Sequence, residues 1–299
     1  MNSNTRKQVI SIHRQGEAHW VGDGFPVHTI FHYQERPALS PFLLLDHAGP
    51  HDLAPSSEPR GVDWHPHRGF ETVTIVYDGE VDHHDTAGNG GGIRTGDVQW
   101  MTAGSGQLHK EFHSPGFTRR GGRFEMLQLW VNLPRASKMT APRYQALAAQ
   151  DIPVVPLPGD AGSVRVIAGE FGMARGAART FTPINLLDVR LTAGKRVTLD
   201  LNDGYTAALY VLEGDLVVGD SETARATELV VLDRRGAEVT LEARTDATVF
   251  VMNGQPIDEP IAGYGPFVMN TRQEIQQAFA DFNQGRFGVV PTDREQVTT

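Results

Sequence analysis

His65 and His67 stand two residues apart, and further along the chain His109 and Glu111 repeat that spacing. In an extended strand alternate side chains point to the same face, so each pair can aim both donors at one point inside a barrel. Pro66 keeps His65 out of the helical region and supports the extended reading. Three neutral imidazoles and one carboxylate on two facing strands suit a divalent transition metal, Fe(II), Mn, Ni, Cu or Zn, and leave one or two octahedral positions open for substrate. A single such pair is as readily a pair of structural histidines. Two of them in the same half argue for a shared centre.

Composition removes the competing chemistries. The 299 residues contain no cysteine, which excludes disulfide frameworks, zinc fingers, iron–sulfur clusters and thiol nucleophiles. Any metal must therefore be held by His, carboxylate or backbone oxygen. With 27 Lys+Arg against 36 Asp+Glu the net charge is -9, which argues against direct nucleic-acid binding or a grip on anionic lipid. The opening MNSNTRKQVISIHRQ has no apolar signal region, and no run approaches the roughly 18 apolar residues of a membrane span. The expectation is a cytoplasmic monomer.

Other candidates have plainer readings. The GNGGG run at 88 to 92 lacks a following Gly-Lys-Ser/Thr and reads as a hairpin connection. His83 and His84 are adjacent, so they point to opposite faces, and with Asp82 and Asp85 beside them both are expected in solvent. His113 continues the alternation of His109 and Glu111 and fits either a hydrogen-bonding role beside the ligands or an exposed position before Ser114-Pro115-Gly116. Arg119, Arg120 and Arg123 read as a solvated turn. Phe25, Phe42, Gln99, Met101 and Phe124 could line an aromatic-accepting cavity, with core packing the default for each.

The elements that must position these residues are strands. Short alternating runs such as TVTIVYDGEV, RVTLDL and TAALYVLEGDLVV recur between Gly and Pro turn signals, which implies an all-β sandwich or barrel. Laying His65–Val81 over Asp200–Leu216 matches Gly69 with Gly204, Val76 with Val211 and Gly79 with Gly214, as expected of a duplicated unit. The second copy carries Asp200 and Asn202 where the first has His65 and His67, and Val239 and Leu241 stand opposite His109 and Glu111. All 12 histidines lie between His13 and His113, so only the first copy is equipped for a metal. The Pro- and Ala-rich connection places the boundary near 145, giving units 1–145 and 146–299. Thr271 and Glu274 form a capping box for one helix near 271–284, with an apolar stripe of Ile275, Ala278, Phe279 and Phe282.

The runs SPFLLLDH, HPHRGFETVT, GDVQWMTAGSGQLHKE, LQLWVNLP and YGPFVMNTRQEI resemble the pirin family across nearly the whole chain. The resemblance implies two tandem cupin (jelly-roll-like) β-barrels with a short C-terminal helix, and one mononuclear metal, Fe(II) first among the candidates, in the N-terminal barrel. It carries the ligand roles onto His65, His67, His109 and Glu111. General cupins take their carboxylate soon after the HxH pair, which here would be Glu71, and Glu111 is preferred. Lys110 stands where pirins commonly have serine and should face away from the metal. The resemblance further implies a quercetin 2,3-dioxygenase-like activity, the opening of a flavonol ring between C2 and C3 by O2 with loss of carbon monoxide, with Glu111 as ligand and base. The alternative it implies is an iron-dependent regulator that binds a transcription factor or metabolic enzyme.

Overall fold

The computed structural model describes residues 6–291. It is built almost entirely of antiparallel strands, arranged twice in the same pattern. The first copy has a four-stranded sheet ordered Gly61–His67, Gln107–His113, Glu80–Asp85, Gly90–Arg94. Its partner sheet has seven strands, with Phe70–Asp78 in the middle between Val98–Thr102 and Gly122–Asn132. The second copy repeats the four-stranded order in Arg196–Asp200, Glu238–Ala243, Asp215–Val218, Glu222–Arg225, and again has a seven-stranded partner. The paired glycines of the repeat serve the same turn: Gly79 and Gly214 both have φ near +90° (92 and 86), a conformation in which a β-carbon is strained.

The expected division at 145/146 is redrawn at both ends of the chain. One compact unit comprises the segment up to Gly16, Ile30–Leu43 and Gln150–Ile257; the other comprises Glu17–Thr29, Leu44–Ala149 and the segment from Asp258 onward. The cause is edge-strand pairing. Val9–Arg14 adds itself to Glu228–Leu232 and closes the edge of the second sheet, while Arg143–Leu147 closes the corresponding edge of the first against Val98–Thr102. An open edge is a row of unpaired backbone groups, so the segment that covers it belongs to that barrel whatever its place in sequence.

The helix Arg272–Asn283 likewise belongs with the first barrel. It starts at Thr271, whose side chain and that of Glu274 form the expected capping box. Ile275 and Ala278 of its apolar stripe pack with Phe267, Met269 and Phe287, and Leu108 joins them from the strand that carries His109. A second, shorter helix, Pro115–Arg120, begins where Ser114 accepts a hydrogen bond from the Phe117 amide. Arg119 and Arg120 thus end a helix rather than line a loop. Arg120 pairs with Glu80, and Arg123 with Asp78 and Glu125.

The two interiors differ as the histidine count requires. Val197, Leu199, Val239 and Leu241 join one continuous apolar core in the second barrel, each large side chain contributing about 1.5–3 kcal/mol by leaving water. In the first barrel an aromatic cluster of Phe25, Phe117, Phe124 and Met126 fills one part, and polar side chains occupy the rest.

Candidate metal centre

The strands Gly61–His67 and Gln107–His113 are antiparallel neighbours, with His109 opposite His65 and Gln107 opposite His67. Alternation turns His65, His67 and His109 to one side, and their ring centroids lie 4.2 to 4.9 Å apart. Each offers a ring nitrogen within 4.8 Å of the others, close enough to hold one metal ion. The outer nitrogens of His65 and His67 are fixed by carbonyl oxygens, which only accept. His65 Nδ1 donates to Asp63 O at 2.8 Å and His67 Nδ1 to Pro266 O at 3.4 Å, so in the neutral rings the lone pair is on Nε2.

These residues fit a cation. His109 Nε2 is buried and has no hydrogen-bond partner among the described residues. Burial, and then the neighbouring imidazoles, hold His67 and His109 well below the ordinary histidine range, so both are neutral lone-pair donors near pH 7. A buried acceptor left unsatisfied costs about 1–3 kcal/mol, and a metal ion removes that cost.

Glu111 lies on the same face of its strand as His109. The register slips between His109 and Glu111, which sets Glu111 opposite Val62. Its Oε1 accepts from Thr74 Oγ1 at 3.2 Å and its Oε2 from Gln128 Nε2 at 3.0 Å. Pairing with the strand Glu80–Asp85 sets Glu111 opposite His83 and gives a second cluster of His83, His109 and Glu111, so His109 is common to two three-donor groups. Glu71 faces the other way. It accepts from Thr102 at 2.7 Å, three positions before Thr74, and an odd separation on one strand puts the two on opposite faces. Gly69, with φ +87, turns the chain after His67 and breaks the alternation that links Glu71 to the histidines.

Two family models match the chain: Pirin over residues 24–131 and the Pirin C-terminal cupin domain over residues 186–288. The chain belongs to the pirin family. A pirin-like protein of Solanum lycopersicum is 42% identical over 270 residues, 89% of this chain and 88% of that one. A Pseudomonas aeruginosa protein provisionally named quercetin 2,3-dioxygenase is 55% identical over 282 residues, 94% of this chain and 98% of that one. The crystal structure of quercetin 2,3-dioxygenase from Acinetobacter baumannii superposes with a TM-score of 0.93 at 52% identity, covering 96% of this chain and all of the other. The two cupin barrels expected of a pirin are thus present, and the polar one contains the histidine cluster.

In this pirin-family chain His83 corrects the sequence reading. It is fully buried, not solvated, and stacks on Tyr144 with centroids 5.1 Å apart. Its strand reads Val81, His83, Asp85 inward, with Glu111 opposite His83 and Asp85 opposite His109. The sequence carries this signal, because His83 alternates with the apolar Val81 and places Val81, His83 and Asp85 on one face. Gln99, left to the core by default, sits beside His83 with its Nε2 3.0 Å from His83 Nδ1. Thr74 and Gln128, which hold Glu111, gave no sequence signal at all.

The other candidates fall outside the cluster. His113 is buried, its Nε2 donating to Gly24 O at 2.8 Å among Phe25, Phe117 and Phe124, so it serves the aromatic core and is neither exposed nor beside the ligands. Lys110 lies over the Trp64 ring at 5.2 Å. Phe25 and Phe124 pack in that same core.

Proposed function

We propose that the protein is a metal-dependent dioxygenase of the quercetin 2,3-dioxygenase kind, with His65, His67, His109 and Glu111 holding iron in the N-terminal barrel. The observation that carries the reading is the group of three imidazoles that converge closely enough to hold one ion, with His109 Nε2 buried and unpartnered among the described residues, beside a hydrogen-bonded carboxylate. The names of the relatives at 55% and 52% identity support the substrate class, a flavonol-like aromatic hydroxyketone together with O2. When bound, the ion would supply Lewis acidity toward the substrate hydroxyl and open positions for reactants.

The protein's own part is acid–base chemistry and positioning. Glu111 is the base that takes the proton of the flavonol 3-hydroxyl. The proton goes to Oε1, because the Thr74 hydroxyl beside it is both donor and acceptor and can turn its lone pair to the new O–H. Gln128 Nε2 only donates, so Oε2 stays an unprotonated acceptor throughout. Phe70 and Trp130 flank His67 at 5.0 and 5.3 Å and give one side of the centre an aromatic wall.

A cytoplasmic setting agrees with the absence of cysteine, and no helix among the described residues is long and apolar enough to cross a membrane. The deciding experiment is anaerobic purification, reconstitution with Fe(II), and O2 uptake with quercetin for the wild type and His109→Ala. Uptake by the wild type alone is expected. No uptake by either protein rejects the substrate, and undiminished flavonol consumption with Zn in place of Fe rejects the redox role.

A further inference from the structure

Asp85, His83 and His109 form a continuous chain of polar contacts behind the metal cluster. His83 Nε2 lies 3.5 Å from Asp85 Oδ2, and His83 Nδ1 lies 3.4 Å from His109 Nδ1. Asp85 is itself held rigidly, since its Oδ1 accepts from the amides of Ala87 and Asn89, both at 2.9 Å, and Asn89 Nδ2 donates to both oxygens. The contact with Asp85 lacks hydrogen-bond geometry, but a carboxylate only accepts, so it favours the His83 proton on Nε2 and Nδ1 as an acceptor. The Gln99 amide nitrogen at 3.0 Å from Nδ1 requires the same tautomer. His109 must then present Nδ1–H to His83, which leaves its lone pair on Nε2, the buried atom without a partner.

We propose that His83, backed by Asp85, is a positioning residue for the metal centre: its Nδ1 lone pair holds the Nδ1–H of His109 and so fixes the tautomer and ring angle in which His109 ligates. The proposal rests on the metal-binding reading above and adds a residue that the ligand motif does not contain. Metal-bound histidines usually donate their outer N–H to a carboxylate or carbonyl; here an imidazole stands between, with Tyr144 stacked against it to keep its plane.

The test is metal affinity, read by chelator competition as Co(II) is added to apoprotein. His83→Phe keeps the ring stacked on Tyr144 and deletes the lone pair; His83→Asn returns an acceptor oxygen close to the Nδ1 position. His84→Ala, on the other face of the same strand, is the control. Loss of about 10- to 100-fold in affinity is expected for His83→Phe, with most of it recovered in His83→Asn, no change in His84→Ala, and a Co(II) absorption spectrum in His83→Asn that matches the wild type. Wild-type affinity in His83→Phe, or equal losses in the Phe and Asn variants, overturns the proposal. So does an altered Co(II) spectrum in His83→Asn, which would make His83 a direct ligand. If His83→Phe does not fold, Asp85→Asn decides: its amide can donate to His83 Nε2 and reverse the tautomer, so unchanged affinity in that variant is equally fatal. Failure of the wild type to bind Co(II) at all rejects the underlying metal reading and not this step alone.

Discussion

His109 faces His65 across an antiparallel strand pair, ring centroids 4.2 Å apart, while Glu111, two residues on and on the same face, accepts from Thr74 and Gln128. One strand therefore presents an imidazole and a hydrogen-bonded carboxylate on one face, two residues apart. Replacing either should separate their roles. His109→Ala should abolish tight metal binding, whereas Glu111→Gln should retain metal through the three imidazoles at reduced affinity and lose turnover by about 10²–10⁴-fold, the usual contribution of a positioned base. Metal content per chain and kcat measured on the same preparations distinguish the two; full turnover in Glu111→Gln removes the base.

The second barrel carries none of the four proposed donors. Leu241 is completely buried in its apolar core, in the repeat position that Glu111 occupies in the first. Leu241→Ala should cost about 2–5 kcal/mol of stability through the cavity it leaves, with metal stoichiometry unchanged. Urea unfolding and metal analysis check both halves of this statement, and a variant that loses its metal while folded contradicts it.

Arg68 follows directly on His67 and is anchored by the C-terminal helix. Its Nη1 donates to Asp281 Oδ2 at 2.8 Å with both side chains largely out of water, its Nε donates to Ser105 O at 2.7 Å, and the guanidinium lies over Phe287 at 4.6 Å. Removing one partner of such a pair strands the other charge, at about 3–5 kcal/mol. Asp281→Ala should therefore destabilise the protein by an amount near this range and weaken metal binding, because the turn after His67 loses its brace. Thermal melts with and without metal test it; loss of stability with full metal affinity would confine Asp281 to a structural role.

Burial pushes the Glu71 carboxyl up to about 7, against hydrogen bonds from Thr102 and Trp100 and the charge of Arg143 that pull it down. Its folded-state pKa lies above its unfolded one, so between about pH 4.5 and about 7 the native state holds a proton that the unfolded chain has released. Stability from this group falls as pH rises through that window, by at most about 3 kcal/mol at about 1.36 kcal/mol per pH unit. Glu71→Gln should gain on the wild type between pH 5 and pH 8. Denaturant midpoints at the two pH values measure the difference, and parallel pH profiles would show that Glu71 is ionised at its ordinary value.

Much of the centre was legible in the sequence because the rule that reveals it is local. In HPH and HKE, alternation along an extended strand suffices to point each pair one way, and the Thr271–Glu274 capping box is equally contained within a few residues. Glu71 and His83 mark the limits of that rule in complementary ways. Glu71 shares the nominal parity of His65 and His67, but the left-handed turn at Gly69 resets it. His83 was dismissed for its neighbour, although only one of two adjacent residues can face inward and the strand pairing selects it.

By itself the sequence determined the donor types, their spacing, the duplication and the asymmetry that leaves one barrel apolar and one polar, since these depend only on residue identity and the two-residue period of a strand. Tertiary structure decided the rest: the Thr74 and Gln128 donors that hold Glu111, the face on which Glu71 sits, the burial of His83 against Tyr144, and the packing that assigns Val9–Arg14 to the second barrel and the C-terminal helix to the first. Register and edge pairing join residues far apart in the chain. They are set by which exposed backbone edge and which apolar face each segment can cover, and no local pattern carries that information.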